Sequence, residues 1–164
     1  MIISLKNKHT LQVDEFKFKC SIGKRGSTKN KSEGDKKTPI GVFEIGNLYY
    51  RHDRINLPAT KLKYVKIKKE MGWSDDVNFP KKYNQLIKVN KEVHHEKLHR
   101  RDNKYDLLIP IKYNFHRRKI GKGSCIFLHL TKNYNPTLGC IALNKKDFLI
   151  MLKIIKKNTK IKIS

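Results

Sequence analysis

The sequence predicts a mainly β single domain with few helices. Short alternating or apolar runs of strand length recur along the chain, separated by Gly, Asn, Ser and Asp. Only one segment sustains a helical period. A chain of 164 residues with 38% apolar content can bury a real core, and suits one domain spanning residues 1–164.

Taken in order, strands are expected at Ile2–Leu5, Thr10–Val13, Phe16–Ile22, Gly41–Leu48, Lys61–Lys68, Asp106–Asn114 and Ser124–Leu130. The interval Gly23–Asp35 is poor in apolar residues and reads as a mobile surface loop. The stretch 55–101 is broken by Pro58, Gly72 and Pro80, and reads as an insertion over the β core. Asn144 with Asp147 three residues on resembles a capping box. Phe148, Leu149, Leu152 and Ile155 then recur at helical spacing, and Lys153, Lys156 and Lys157 suit the negative end of the helix dipole. Thr159–Ile163 alternates and can return as a closing strand.

Composition limits the function classes. No run of about 18 apolar residues exists, so no transmembrane helix is expected. The opening residues Met1–Lys8 read as a first strand and not as a secretion signal. Three cysteines cannot all pair with one another, and Cys20 and Cys125 read as buried, inert thiols. The net charge of +24 implies attraction to polyanions. Only seven of the basic residues are Arg, and they spread along the whole chain, which opposes specific nucleic-acid recognition. A non-enzymatic basic nucleic-acid-binding protein is the competing class.

The chemistry concentrates in Ile126–Leu143. An apolar run delivers His129, a loop of turn formers follows, and Gly139-Cys140 opens another apolar segment. A thiol becomes a nucleophile when a neighbouring base favours the thiolate. Gly139 lacks a Cβ, so a carbonyl can approach and backbone N–H groups can meet a developing oxyanion. His129 can serve as general base and then general acid. The bland alternative is a core thiol and a strand-end histidine. A zinc site from His116, Cys125, His129 and Cys140 fits poorly, because Cys125 and His129 lie about 13 Å apart on a regular strand.

This segment resembles the active-site signature of the L,D-transpeptidases of the YkuD type: a strand His, a variable loop, then Ser/Thr-x-Gly-Cys, here His129 and Thr137-Leu138-Gly139-Cys140. Gly23–Gly26, Lys31–Asp35 and Thr38–Phe43 are similar to the family's early segment. Gly72–Asp76, His95-Glu96 and Tyr105–Leu107 are similar to a divergent bacterial branch. The resemblance spans roughly residues 2–157. Most members carry Arg two residues after the cysteine; Ala142 stands there, a mark of the divergent branch.

The resemblance implies a β sandwich-like fold and a cysteine acyltransferase that cross-links peptidoglycan stem peptides through a thioester, without a cofactor or metal. An L,D-carboxypeptidase or amidase outcome on the same scaffold stays open. It implies Cys140, His129 and Gly139 as catalytic residues, with a backbone carbonyl orienting His129. Thr137, Trp73, Asp75, Asp76, His95, Glu96 and Arg100 are the candidate substrate-binding set. Cell envelope or periplasm is the implied location, although the opening residues carry no signal and a cytoplasmic location stays open. The lysines are expected to attract anionic wall polymer loosely.

Overall fold

A computed structural model describes all residues, Met1–Ser164. The strands are β1 (Ile2–Asn7), β2 (Thr10–Val13), β3 (Phe16–Lys19), β4 (Ser27–Thr28), β5 (Thr38–Pro39), β6 (Gly41–Glu44) and β7 (Leu48–Tyr50). They continue with β8 (Tyr64–Lys66), β9 (Met71–Ser74), β10 (Leu86–Lys88), β11 (His95–Lys97), β12 (Leu107–Pro110), β13 (Phe127–Leu130) and β14 (Ile141–Leu143). Helix α1 (Lys145–Ile154) and β15 (Lys160–Ile163) close the chain. The domain is mainly β with one helix, as the alternating runs predict.

Two five-stranded sheets form the body. The first has the order β3-β2-β1-β15-β6 and the second β14-β13-β12-β7-β8. The two ends of the chain meet in the first sheet, where β1 runs parallel to β15 with Ile3 opposite Ile161. Period-two alternation sends Ile3, Leu5, Leu11, Val13, Ile161 and Ile163 into one core. From the second sheet, Leu107, Ile109, Leu128, Leu130, Ile141 and Leu143 enter the same core. Helix α1 adds Phe148, Met151 and Leu152, each worth about 1.5–3 kcal/mol when fully buried. Asn144 caps it as expected: its Oδ1 accepts the Asp147 N–H at 2.8 Å.

The alternate residues of the second sheet face the other way. Leu108, Phe127, Tyr49 and Cys140 join a smaller apolar cluster with Trp73, Leu98 and Tyr105. A three-stranded antiparallel sheet, β10-β9-β11, supplies Trp73 to it. Residues 55–101 thus give the second sheet an edge strand, β8, and then cover the sheet face opposite the main core.

Phe16–Ile22, Lys61–Lys68 and Asp106–Asn114 shorten to β3, β8 and β12, and three further expectations change in kind. The run Gly41–Leu48 splits into β6 and β7, which join different sheets. Gly46 marks the crossing; a Cβ there would meet Pro110 at an ordinary contact distance of 3.4 Å. Ser124–Leu130 begins its strand only at Phe127, because Cys125 takes a left-handed φ of 53°. Gly23–Asp35 is tied down and not a loose loop. Glu33 Oε2 accepts from Tyr83 Oη at 2.5 Å and Ser124 Oγ at 2.7 Å, and the Lys31 ammonium is buried against Asp35. Polar residues hold this segment through side-chain partners that apolar patterning cannot reveal.

Candidate active site

The ladder fixes where the His129 and Cys140 side chains point. β13 and β14 run parallel, with His129 opposite Ala142. Cys140 is two residues before Ala142, so it shares a face with Ala142, and hence with His129. Two residues of strand rise and one strand spacing put the His129 and Cys140 Cα atoms about 8 Å apart, within reach of an imidazole and a thiol. This face carries no main-core residue; Leu128 and Leu130 point to the opposite side.

The turn before the thiol is built by Thr137. Its hydroxyl donates to the Cys140 carbonyl at 2.6 Å and accepts the Gly139 N–H at 3.1 Å. Gly139 has φ 141°, and a Cβ there would stand 2.9 Å from the Lys37 carbonyl oxygen. No L side chain fits this conformation and this contact together. The early segment forms the outer wall: Lys24 N–H donates to the Thr137 carbonyl at 2.8 Å, and Thr137 N–H donates to the Ile22 carbonyl at 2.9 Å. The Cys140 N–H has no acceptor within the chain.

His129 is buried, with 6% of its surface exposed. Its Nδ1 lies 2.9 Å from the Leu130 carbonyl oxygen, so Nδ1 carries the proton and donates it there. Nε2 then bears the lone pair and makes no hydrogen bond within the chain. Burial pulls the imidazole pKa down from 6.5 to about 4, which keeps the ring neutral. The Cys140 thiol donates to the Cys125 carbonyl at 3.1 Å, and burial pushes its pKa up. The resting pair is therefore a neutral base and a protonated thiol.

Both groups line a cleft of about 920 Å³. Thr131–Leu138 and Arg100–Asp106 contribute its two sides, and Ala142 lies in its floor. Tyr105 stands edge-on to the His129 ring, with centroids 5.3 Å apart. Its hydroxyl donates to Glu96 Oε2 at 2.5 Å, and burial raises the Glu96 pKa. The Arg100 guanidinium lies 5.0 Å from the Tyr105 ring centroid and pairs with Asp102 through two bonds of 2.9 and 2.7 Å. Lys104, Lys132 and Lys145 also line the cleft and form no ion pair within the chain.

The structure brings Cys140, His129, Thr137, Glu96 and Arg100 to this cleft, with Gly139 in the turn that carries the thiol. It does not bring Trp73, Asp75, Asp76 and His95 there. Trp73 is buried in the smaller cluster, with its indole N–H donating to Asn84 Oδ1 at 3.0 Å. Asp76 accepts the backbone N–H groups of His94 and Asn78, and Asp75 pairs with the His94 ring. His95 packs over Gly72, and its Nδ1 bonds the Val93 carbonyl. Sequence reasoning passed over Tyr105 and Asn144 as site residues. Asn144 reads as a helix cap, yet its Nδ2 also donates to Tyr134 Oη at 2.5 Å and so ties the loop to the helix. Only the fold shows that second contact.

The mainly β domain thus presents one thiol and one neutral imidazole to a common cleft. The chain belongs to the YkuD family: the model of the L,D-transpeptidase catalytic domain matches residues 1–163. This family consists in general of cysteine-dependent acyltransferases. Among solved structures, the chain is similar to the helical cell shape determining protein Pgp2 from Campylobacter jejuni. The TM-score is 0.56 at 17% identity, over 99% of this chain and 46% of that one. It is also similar to an L,D-transpeptidase from Mycobacterium smegmatis, with TM-score 0.44 and 12% identity, over 99% of this chain and 57% of that one. The chain spans about half the length of these structures. No curated protein matches it.

Proposed function

We propose that this domain performs acyl transfer on peptidoglycan stem peptides through a thioester on Cys140. One observation carries the reading: Cys140 and a neutral His129 share one face of adjacent parallel strands, at a common cleft. A stem-peptide carbonyl enters beside Gly139, where no Cβ blocks it. The thiol leaves the Cys125 carbonyl and gives its proton to His129 Nε2. The sulfur attacks the carbonyl carbon, and the free Cys140 N–H donates to the resulting oxyanion. The C–N bond breaks, and the proton on Nε2 passes to the leaving amine. An acceptor amine then resolves the thioester to a cross-link, whereas water resolves it to a trimmed stem. Glu96 and Arg100 contact the peptide's charged groups from one side of the cleft.

The family works on peptidoglycan stem peptides and is usually associated with the cell envelope. We assign this chain the same substrate and setting. No helix of the domain is long and apolar enough to cross a membrane. Pgp2 is described as a cell shape determining protein, and we extend a part in wall shape to this chain on the fold alone. Incubation with purified tetrapeptide muropeptides, followed by mass analysis, tests the reading. Cross-linked dimers identify transfer to an amine, and shortened monomers identify hydrolysis. Unchanged muropeptides under both donor-rich and acceptor-rich conditions refute it.

A further inference from the structure

A second concavity, beside the turn that carries the thiol, combines unpaired positive charge with an unsatisfied buried hydroxyl. It is a pocket of about 290 Å³, lined by Lys8, His9, Ser21, Lys24, Arg25 and Tyr134 among others. None of its lining residues is acidic. Lys8, Lys24 and Arg25 take part in no ion pair of the protein. An anion here meets cations that no carboxylate has already neutralised.

Ser21 is the independent sign. It is 5% exposed, and its Oγ has no hydrogen-bond partner. The ladder explains its direction. Cys20 and Ile22 enter the main core, so Ser21 points to the opposite side. It stands opposite Ala142, which stands opposite His129, so the three residues form one row across the sheet. A buried hydroxyl without a partner keeps an uncompensated desolvation cost, which a ligand oxygen relieves.

We propose that this pocket is a second binding site, for a single oxyanion group: a phosphate or a carboxylate. Lys24 and Arg25 supply the charge, with Arg25 able to bind two oxygens at once. The Ser21 hydroxyl donates to a further oxygen, and a His9 ring N–H adds another donor. The volume, about 290 Å³, has room for such a group. The site adjoins the nucleophile turn. Its wall is hydrogen-bonded to Thr137 from both Lys24 and Ile22, and it shares Pro136 with the cleft. An acidic group held here anchors a polymer whose peptide arm lies in the cleft. The anchoring role rests on the acyl-transfer reading, whereas anion binding at the pocket can be measured on a chain that turns nothing over.

The test is an amide NMR titration with inorganic phosphate and, separately, with acetate, on wild type, Ser21→Ala and Lys24→Ala/Arg25→Ala. The expected result is saturable shifts at Ser21, Lys24 and Arg25 with at least one of the two anions. The double variant should weaken that binding by about tenfold or more, and Ser21→Ala by several-fold. Saturation with phosphate alone assigns a phosphate ester, and with acetate alone a carboxylate. Shifts spread over all lysine-bearing surfaces without saturation overturn the proposal. So does a double variant that titrates like wild type. Ser21→Ala guards against a merely structural hydroxyl: in that case folding stability moves and anion affinity does not.

Discussion

Around Trp73, the indole N–H is held by Asn84, Asp76 accepts two backbone N–H groups, and Asp75 pairs with His94. On the cleft floor, His129 Nε2 and the Cys140 N–H have no partner within the chain. The two regions meet on the face of the second sheet opposite the main core, where Trp73 and Cys140 belong to one apolar cluster. They differ in what is left open toward the cleft: His95 Nε2, in the Trp73 region, also lacks a partner but is buried and lines no part of that cleft. A polar side chain whose hydrogen-bonding capacity is spent locally fixes the fold. One with a donor or lone pair turned to a cleft is free for chemistry.

The comparison breaks most visibly at His129. His129→Ala should lower the acylation rate roughly 10²–10⁴-fold, as loss of a general base does. Stopped-flow acylation with a stem peptide checks this. An unchanged rate puts His129 with the structural residues.

The second way to sharpen it is pH. His129 is held neutral, with its pKa lowered to about 4 by burial against an ordinary 6.5. A lowered folded-state pKa gives stability that is full above pH 6.5 and is lost as pH falls toward 4, at most about 3 kcal/mol. Urea denaturation at several pH values should show that loss, and His129→Gln should reduce it. The acid limb of the acylation rate should likewise sit near pH 4, not near 6.5. An acid limb near 6.5 contradicts the buried neutral imidazole.

The smallest effect is expected at Trp73. Trp73→Phe keeps a ring against Tyr49 and Phe127 but removes the bond to Asn84. It should cost about 1–2 kcal/mol of stability by urea denaturation and leave acylation within about twofold. A stable variant with a large rate loss returns Trp73 to the substrate site.

The sequence carries the strands well where burial is one-sided. β1, β2 and β15 alternate because one face meets the core, and α1 announces itself through its cap and period. His129 and Cys140 are legible through their flanking residues, since a Gly-Cys turn after a strand histidine has a chemical reason. The residues 55–101 are less legible. Trp73, Asp75 and Asp76 look like pocket residues because type and spacing do not reveal that Asn84 and His94 lie beside them. Glu33, in a stretch without apolar period, anchors Tyr83 and Ser124 across the fold. Long-range side-chain partners of this kind leave no periodic trace. Ala142 shows the reverse: the sequence marks it only as a departure shared with the divergent branch, and the fold places it as a small residue between His129 and Ser21.

The central claim is that Cys140 becomes acylated by a stem peptide. Intact-protein mass spectrometry of the chain quenched in acid during turnover of a tetrapeptide stem tests it directly. The predicted result is a transient mass increase equal to the tripeptide acyl group, mapped by digestion to Cys140 and lost in a folded Cys140→Ala variant. An adduct that persists in Cys140→Ala, or product formation by that variant at the wild-type rate, contradicts the account.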